Sequence, residues 1–190
     1  GLPDWNAMKA CAQAFATAET IPNGRLLDYP ADWGTPGADR MKGLGLPFKA
    51  IPAGSEGALV AELKASVAKK SPLFMVFWQP HWALAEYETE WVALPKADPE
   101  CFTDAKWGSN PNELNDCDFA ASRVFKAAWS GVKGKWPAAH AILKAVSIDT
   151  TVQQDMMAQI DQKGADLKSE VAKWMAANAS TVDGWVAAGK

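Results

Sequence analysis

A chain of 190 residues has room for one ordinary domain or two small ones. Apolar residues at 48% supply a core, and 22% charged residues suit a soluble surface. A net charge of −3, with Lys and Arg spread along the chain, argues against a nucleic-acid footprint. The longest apolar run, around Leu73 to Trp78, is far too short to span a bilayer.

The chain opens without an initiator Met, on a helix-like segment, so its start is expected to reflect processing or proteolysis. Asp4 reads as an N-cap, with Trp5, Met8, Ala12 and Phe15 following at helical spacing. The turn Pro22-Asn23-Gly24 precedes a strand, Arg25 to Tyr29. A short helix is expected within Gly37 to Gly45, then a second strand from Phe48 to Ile51. Leu59, Leu63 and Val67 recur every fourth residue in a helix starting near Ser55. Leu73 to Phe77 reads as a third strand and Trp91 to Leu94 as a fourth. This alternation predicts an α/β fold with a mainly parallel sheet.

Cys101 and Cys117 bracket a loop rich in Pro, Asn, Asp and Gly. A disulfide closing it would contribute about 3 kcal/mol on the chain-entropy model and would imply an oxidising compartment. The alternative is two unrelated thiols; the loop's lack of any other evident support favours the disulfide. Cys11, on a helical pattern, is expected to be a buried free thiol.

Beyond that loop, Arg123 to Trp129 reads as one extended crossing segment, and everything later as helix. Pro137 stands at a first-turn position, Thr150 to Gln153 matches a capping box, and Gly164 ends that helix. Leu167, Val171, Trp174 and Met175 form an amphipathic stripe, and Val182, Trp185 and Val186 belong to a last short helix. These helices offer apolar faces for which the chain supplies no obvious partner.

No catalytic constellation emerges, and neither a cofactor nor a metal is expected. The two histidines, His81 and His140, lie in different regions. Gly54-Ser55-Glu56-Gly57 lacks the frame of a nucleophile elbow and reads as a helix start. Gly43-Leu44-Gly45 is too short for a phosphate loop. Of the ten tryptophans, Trp5, Trp174 and Trp185 lie on helical stripes and are expected in the core. Trp91 is expected to pack, and Trp107, Trp129 and Trp136 border loops without deciding their role.

Trp33, Trp78 and Trp82 differ, because a turn or strand end presents each one. Sites in α/β folds lie beyond the carboxyl ends of strands, and indole faces there suit an alkylated onium cation. Trp78 and Trp82 are four apart across Pro80, a spacing that places both rings on one side if Pro80 starts a helix. Asp32 is read either as a counter-charge or as a helix cap, and the N–H groups of Gly34 and Thr35 as anion contacts.

These residues carry a resemblance. Asp32-Trp33-Gly34, Gly54-Ser55-Glu56, and Met75-Val76-Phe77-Trp78-Gln79-Pro80-His81-Trp82 resemble the C-terminal part of the substrate-binding proteins of ABC importers for glycine betaine, proline betaine, choline and related osmolytes. Cys101-Phe102-Thr103-Asp104, Trp107-Gly108 and Asn115-Asp116-Cys117 resemble the branch that includes trimethylamine N-oxide binders. The helices with Trp174 and Gly184-Trp185 match as well.

The resemblance implies a periplasmic-binding-protein (Venus-flytrap) fold. Residues 1–122 would form the second α/β lobe, and 123–190 a crossing segment and C-terminal helices of the first lobe, whose N-terminal part is absent. It implies a tryptophan box to which this chain contributes Trp33, Trp78 and Trp82, with anion contacts at Gly34 and Thr35. Implied partners are a small osmolyte and an ABC permease, in the periplasm or anchored at the cell surface. Self-association through helix faces exposed by truncation is a further expectation. Tryptophans presented this way also suit sugar rings, so a carbohydrate- or cell-wall-binding module is the alternative. Only Asp32 and Gln79 among their neighbours would serve sugar hydroxyls.

Overall fold

The computed structural model describes residues 4–120 and 122–190. It divides into two compact units: Gly1–Phe77 with Thr89–Ala121, and Trp78–Glu88 with Ser122–Lys190.

In the first unit, the Asp4 carboxylate accepts the Asn6 and Ala7 N–H groups at 2.9 and 3.2 Å and so starts α1 (Trp5–Cys11). A 3-10 turn, Ala12–Phe15, extends it. Strands β1 (Gly24–Asp28) and β2 (Phe48–Pro52) pair in parallel, Gly24 opposite Phe48 and Asp28 opposite Pro52. Between them lies α2 (Pro36–Gly43), and after β2 comes α3 (Glu56–Lys69), capped by Ser55. Met8, Leu26, Met41, Leu44, Leu46, Phe48 and Val76 form the core, and Trp5 packs against it as expected. Phe15, Phe48 and Phe74 meet at centroid distances of 5.0 to 6.2 Å, tilted or edge-on as ring quadrupoles prefer.

The sheet is smaller than expected. The third strand reduces to one bridge, in which Leu27 donates to the Phe74 carbonyl and the Leu27 carbonyl accepts from Val76, both at 2.9 Å. Residues 91–94 do not join it. Ala93 instead bridges to Asp4 at the chain's start, and Trp91 is exposed rather than packed. On α3, Leu59 and Leu63 are buried but Val67 is exposed, so the apolar stripe stops one turn early. Cys11 is a free thiol, half-buried rather than fully buried.

The expected disulfide joins Cys101 to Cys117, with Cα atoms 6.3 Å apart. Its loop has further support that the sequence did not advertise. The Asn110 side chain donates to the Gly43 carbonyl at 2.8 Å, and Lys42 pairs with Glu113 at 2.9 Å. Buried Arg40, on α2, lies over the Phe119 ring at 4.6 Å and the Phe102 ring at 5.4 Å. Desolvation lowers its pKa, although Asp39 and Asp118 oppose the shift. The loop therefore rests on the C-terminal half of α2.

The second unit is helical: α4 (Ala83–Glu86), α5 (Val132–Lys135), α6 (Pro137–Ala145), α7 (Thr150–Met157), α8 (Leu167–Ala177) and α9 (Ala179–Ala187). Pro137 opens α6 as expected. The cap of α7 is Asp149 rather than Thr150, its carboxylate accepting the Thr151 N–H at 2.8 Å. A π-turn, Ala158–Gln162, follows α7, and Gly164 closes it at φ +69°. Residues 122–129 carry no regular element, and Lys126 reaches back to the carbonyls of Lys144 and Val146. Trp174 and Trp185 are not core residues. They stack on each other at 5.9 Å, half-buried, while Leu167, Val171 and Met175 on α8 are exposed.

Candidate functional site

The first unit presents Trp33 on a loop clamped at both ends by one carboxylate. Asp28 ends β1 and is 2% exposed. Its Oδ1 accepts the Tyr29 N–H at 2.8 Å and the Gly37 N–H at 3.2 Å, and its Oδ2 the Ala38 N–H at 2.9 Å. Asp28 therefore satisfies amides at the start of α2 that the helix itself cannot. This corrects the capping reading of Asp32, which is exposed on a 3-10 turn, Ala31–Trp33. A carboxylate eight residues before the helix carries no local capping signature, which is why the spacing missed it.

Within the clamp the main chain closes on itself. The Trp33 N–H donates to the Pro30 carbonyl at 2.8 Å, and the Gly34 N–H to the Ala31 carbonyl at 3.2 Å. Gly34 adopts φ +96°, which side chains disfavour. Its N–H is thus engaged within the turn, whereas Thr35 stands at the N-cap of α2. The Trp33 ring is 48% exposed and leans on Tyr29, with centroids 5.7 Å apart. The Tyr29 hydroxyl donates to the Phe77 carbonyl at 3.2 Å. Burial raises the phenol's pKa, and Asp28 adds to the rise.

The second unit holds Trp78 and Trp82. Helix α4 begins only at Ala83, so the two indoles do not share a helix face. The His81 ring contacts both, with centroids 5.1 Å from Trp78 and 5.3 Å from Trp82. His81 is 1% exposed, and its Nδ1 accepts the Ala83 N–H at 3.0 Å. An accepting Nδ1 assigns the neutral ring's proton to Nε2. Trp82 is buried against Tyr87 at 6.4 Å, and Trp78 is half-buried. In the sequence His81 has no second histidine nearby with which to share a metal. Its position between two aromatics was the available sign of a packing role.

Trp33, Asp32, Gly34 and Thr35 thus belong to one unit, Trp78 and Trp82 to the other. Among the described residues no group of three or more potential metal ligands occurs, and no helix is long and apolar enough to cross a membrane.

The fold is of the periplasmic-binding-protein type. A lactococcal OpuAC in closed form with glycine betaine superposes with a TM-score of 0.53 at 20% identity, over 85% of this chain and 57% of that one. An ABC-transporter choline-binding protein in complex with choline gives 0.58 at 14% identity, over 98% and 58%. The chain belongs to the OpuAC family, the substrate-binding domain of ABC-type glycine betaine transport systems, which matches residues 1–177. It is also 30% identical over 187 residues to a trimethylamine N-oxide-binding protein of Pelagibacter ubique (strain HTCC1062). That match takes in 95% of this chain and 57% of that protein, so the chain spans little more than half the relative's length. The family is one of extracytoplasmic substrate-binding domains, not of enzymes.

Proposed function

We propose that the protein carrying this chain captures a methylated onium osmolyte for an ABC importer, with trimethylamine N-oxide foremost and glycine betaine, choline and dimethylsulfoniopropionate as the related candidates. The observation that carries the reading is Trp33, an indole 48% exposed on a loop clamped at both ends, in a chain of this family. A large aromatic face left in water on a fixed support suits a cation that offers no hydrogen-bond donors. Trp78 and Trp82 supply further aromatic walls, with His81 packed against both. The N–H groups at Gly34 and Thr35 are assigned to the ligand's oxygen. Because the Gly34 N–H already serves Ala31, that contact falls mainly to Thr35. Asp32 supplies a counter-charge, which favours a ligand with little or no carboxylate.

In this reading residues 1–122 form one lobe, apart from Trp78–Glu88, which group with the helices of 123–190 in the other, and the ligand-bound form docks on the permease from the periplasm or the cell surface. Self-association through Leu167, Val171 and Met175 of α8 is assigned to the same protein and is read by size-exclusion chromatography.

The test is calorimetric titration of the intact protein with trimethylamine N-oxide, glycine betaine, choline, dimethylsulfoniopropionate and oligosaccharides. Trp33→Ala is expected to weaken binding by about 30-fold, the equivalent of about 2 kcal/mol for a desolvated cation on an indole, while leaving the unfolding midpoint nearly unchanged. Unchanged affinity for every methylated osmolyte would sink the tryptophan-box reading. Binding of oligosaccharides alone would favour a carbohydrate module.

A further inference from the structure

We propose that Tyr29 is a positioning residue for ligand capture: its ring supports the Trp33 indole while its hydroxyl ties that support to the Phe77 carbonyl, one residue before Trp78. The proposal deepens the functional reading above and rests on it.

Three observations converge on this side chain. Tyr29 is itself fixed, its N–H held by buried Asp28 at 2.8 Å and its ring packed against the core of the first unit. It lies 5.7 Å from Trp33 at an interplanar angle of 60°, a tilted aromatic contact. Its hydroxyl reaches across 48 residues of sequence to the Phe77 carbonyl, at the point where the chain leaves the first unit. A single residue thereby touches the exposed indole and the end of the segment from which Trp78 departs. Burial keeps the phenol protonated, so the hydroxyl remains a donor throughout the neutral range.

The physical consequence is preorganisation. An indole 48% exposed has rotamers to lose when a ligand covers it. Holding it beforehand spares that loss, which for one side chain corresponds to about a 2- to 10-fold change in affinity. The ring supplies the support and the hydroxyl its registry, so the two contributions separate by substitution. Tyr29→Leu removes both, and Tyr29→Phe removes only the hydroxyl.

The experiment uses intact protein labelled with 5-fluorotryptophan, the Trp33 resonance being identified by its loss in Trp33→Phe. In ligand-free Tyr29→Leu the Trp33 fluorine resonance is expected to shift and broaden while that of Trp5 stays in place. Affinity for trimethylamine N-oxide is expected to fall about 2- to 10-fold, with a smaller loss in Tyr29→Phe, which preserves the ring. A role confined to stability would lower the unfolding midpoint without moving the Trp33 signal or the affinity, and would overturn the proposal. So would an unchanged Trp33 resonance in Tyr29→Leu. If wild-type protein binds none of trimethylamine N-oxide, glycine betaine or choline, the functional reading itself fails, and that result is seen before any Tyr29 variant is compared.

Discussion

Replacing Asp28 with alanine tests the clamp directly. The substitution strips acceptors from the Tyr29, Gly37 and Ala38 N–H groups, which now meet the carboxylate at 2.8, 3.2 and 2.9 Å. With Asp28 2% exposed, water does not readily replace it. A hydrogen bond to a charged group contributes about 1.5–3 kcal/mol, and a buried donor left unmet costs about 1–3 kcal/mol. The three share one acceptor group and relax together, so the sum is not additive. A loss of about 3–5 kcal/mol is expected, a large part of the stability of a domain this size. Asp28→Asn retains one acceptor oxygen but turns an amide donor toward either Ala38 or the Tyr29–Gly37 pair, for an expected loss of about 2–3 kcal/mol. Urea denaturation followed by tryptophan fluorescence and far-UV ellipticity reads both. A loss below about 1 kcal/mol in Asp28→Ala would refute the claim that this carboxylate holds the loop and the start of α2.

Gly37→Ala probes the same contact sterically: a Cβ there would lie 2.6 Å from Asp28 Oδ1 and 2.7 Å from Val76 Cγ2. The expected cost is about 1–3 kcal/mol in the same denaturation assay. Reducing the Cys101–Cys117 bridge, or replacing both cysteines with alanine, is expected to destabilise the first unit by about 3 kcal/mol, and an unshifted urea midpoint would count against it. Acid should loosen α7 and α8. Hydrogen bonds from Thr151 and Ser169 hold Asp149 and Asp166 below the usual 3.8. The stabilisation is therefore complete above that value and is lost as pH falls through the depressed folded value. Far-UV ellipticity should show this acid step weakened in the Asp149→Ala, Asp166→Ala double variant.

Local patterns located the elements of the first unit well, because their determinants lie close in sequence. Asp4 and Ser55 each cap a helix within three residues of themselves. The edges of the sheet were harder to read. Leu73 to Phe77 has the composition of a strand, yet only the Leu27 bridge recruits it, and Ala93 finds its partner at Asp4. Those pairings depend on distant residues that no local window contains. The site was legible as a set of tryptophans and opaque in its supports. Asp28, Tyr29 and His81 act through contacts made only after folding, one of them spanning 48 residues. Trp174 and Trp185 mark the limit of periodicity. Their spacing marks an apolar stripe, but it does not distinguish a stripe sunk in a core from two indoles stacked on each other.

The Asp28 clamp also separates the loop's shape from its chemistry. Because main-chain amides at both ends of the loop are what the carboxylate grips, the side chains at Ala31, Asp32 and Trp33 are left out of the task of holding the path. Gly34 alone is bound to its position by backbone conformation. The three neighbouring positions are thus a surface on which selection can rewrite ligand preference without refolding the scaffold. Diversity among descendants of this chain that still take onium ligands should gather at Ala31 and Asp32, spare Trp33, and stop abruptly at Asp28 and Gly37.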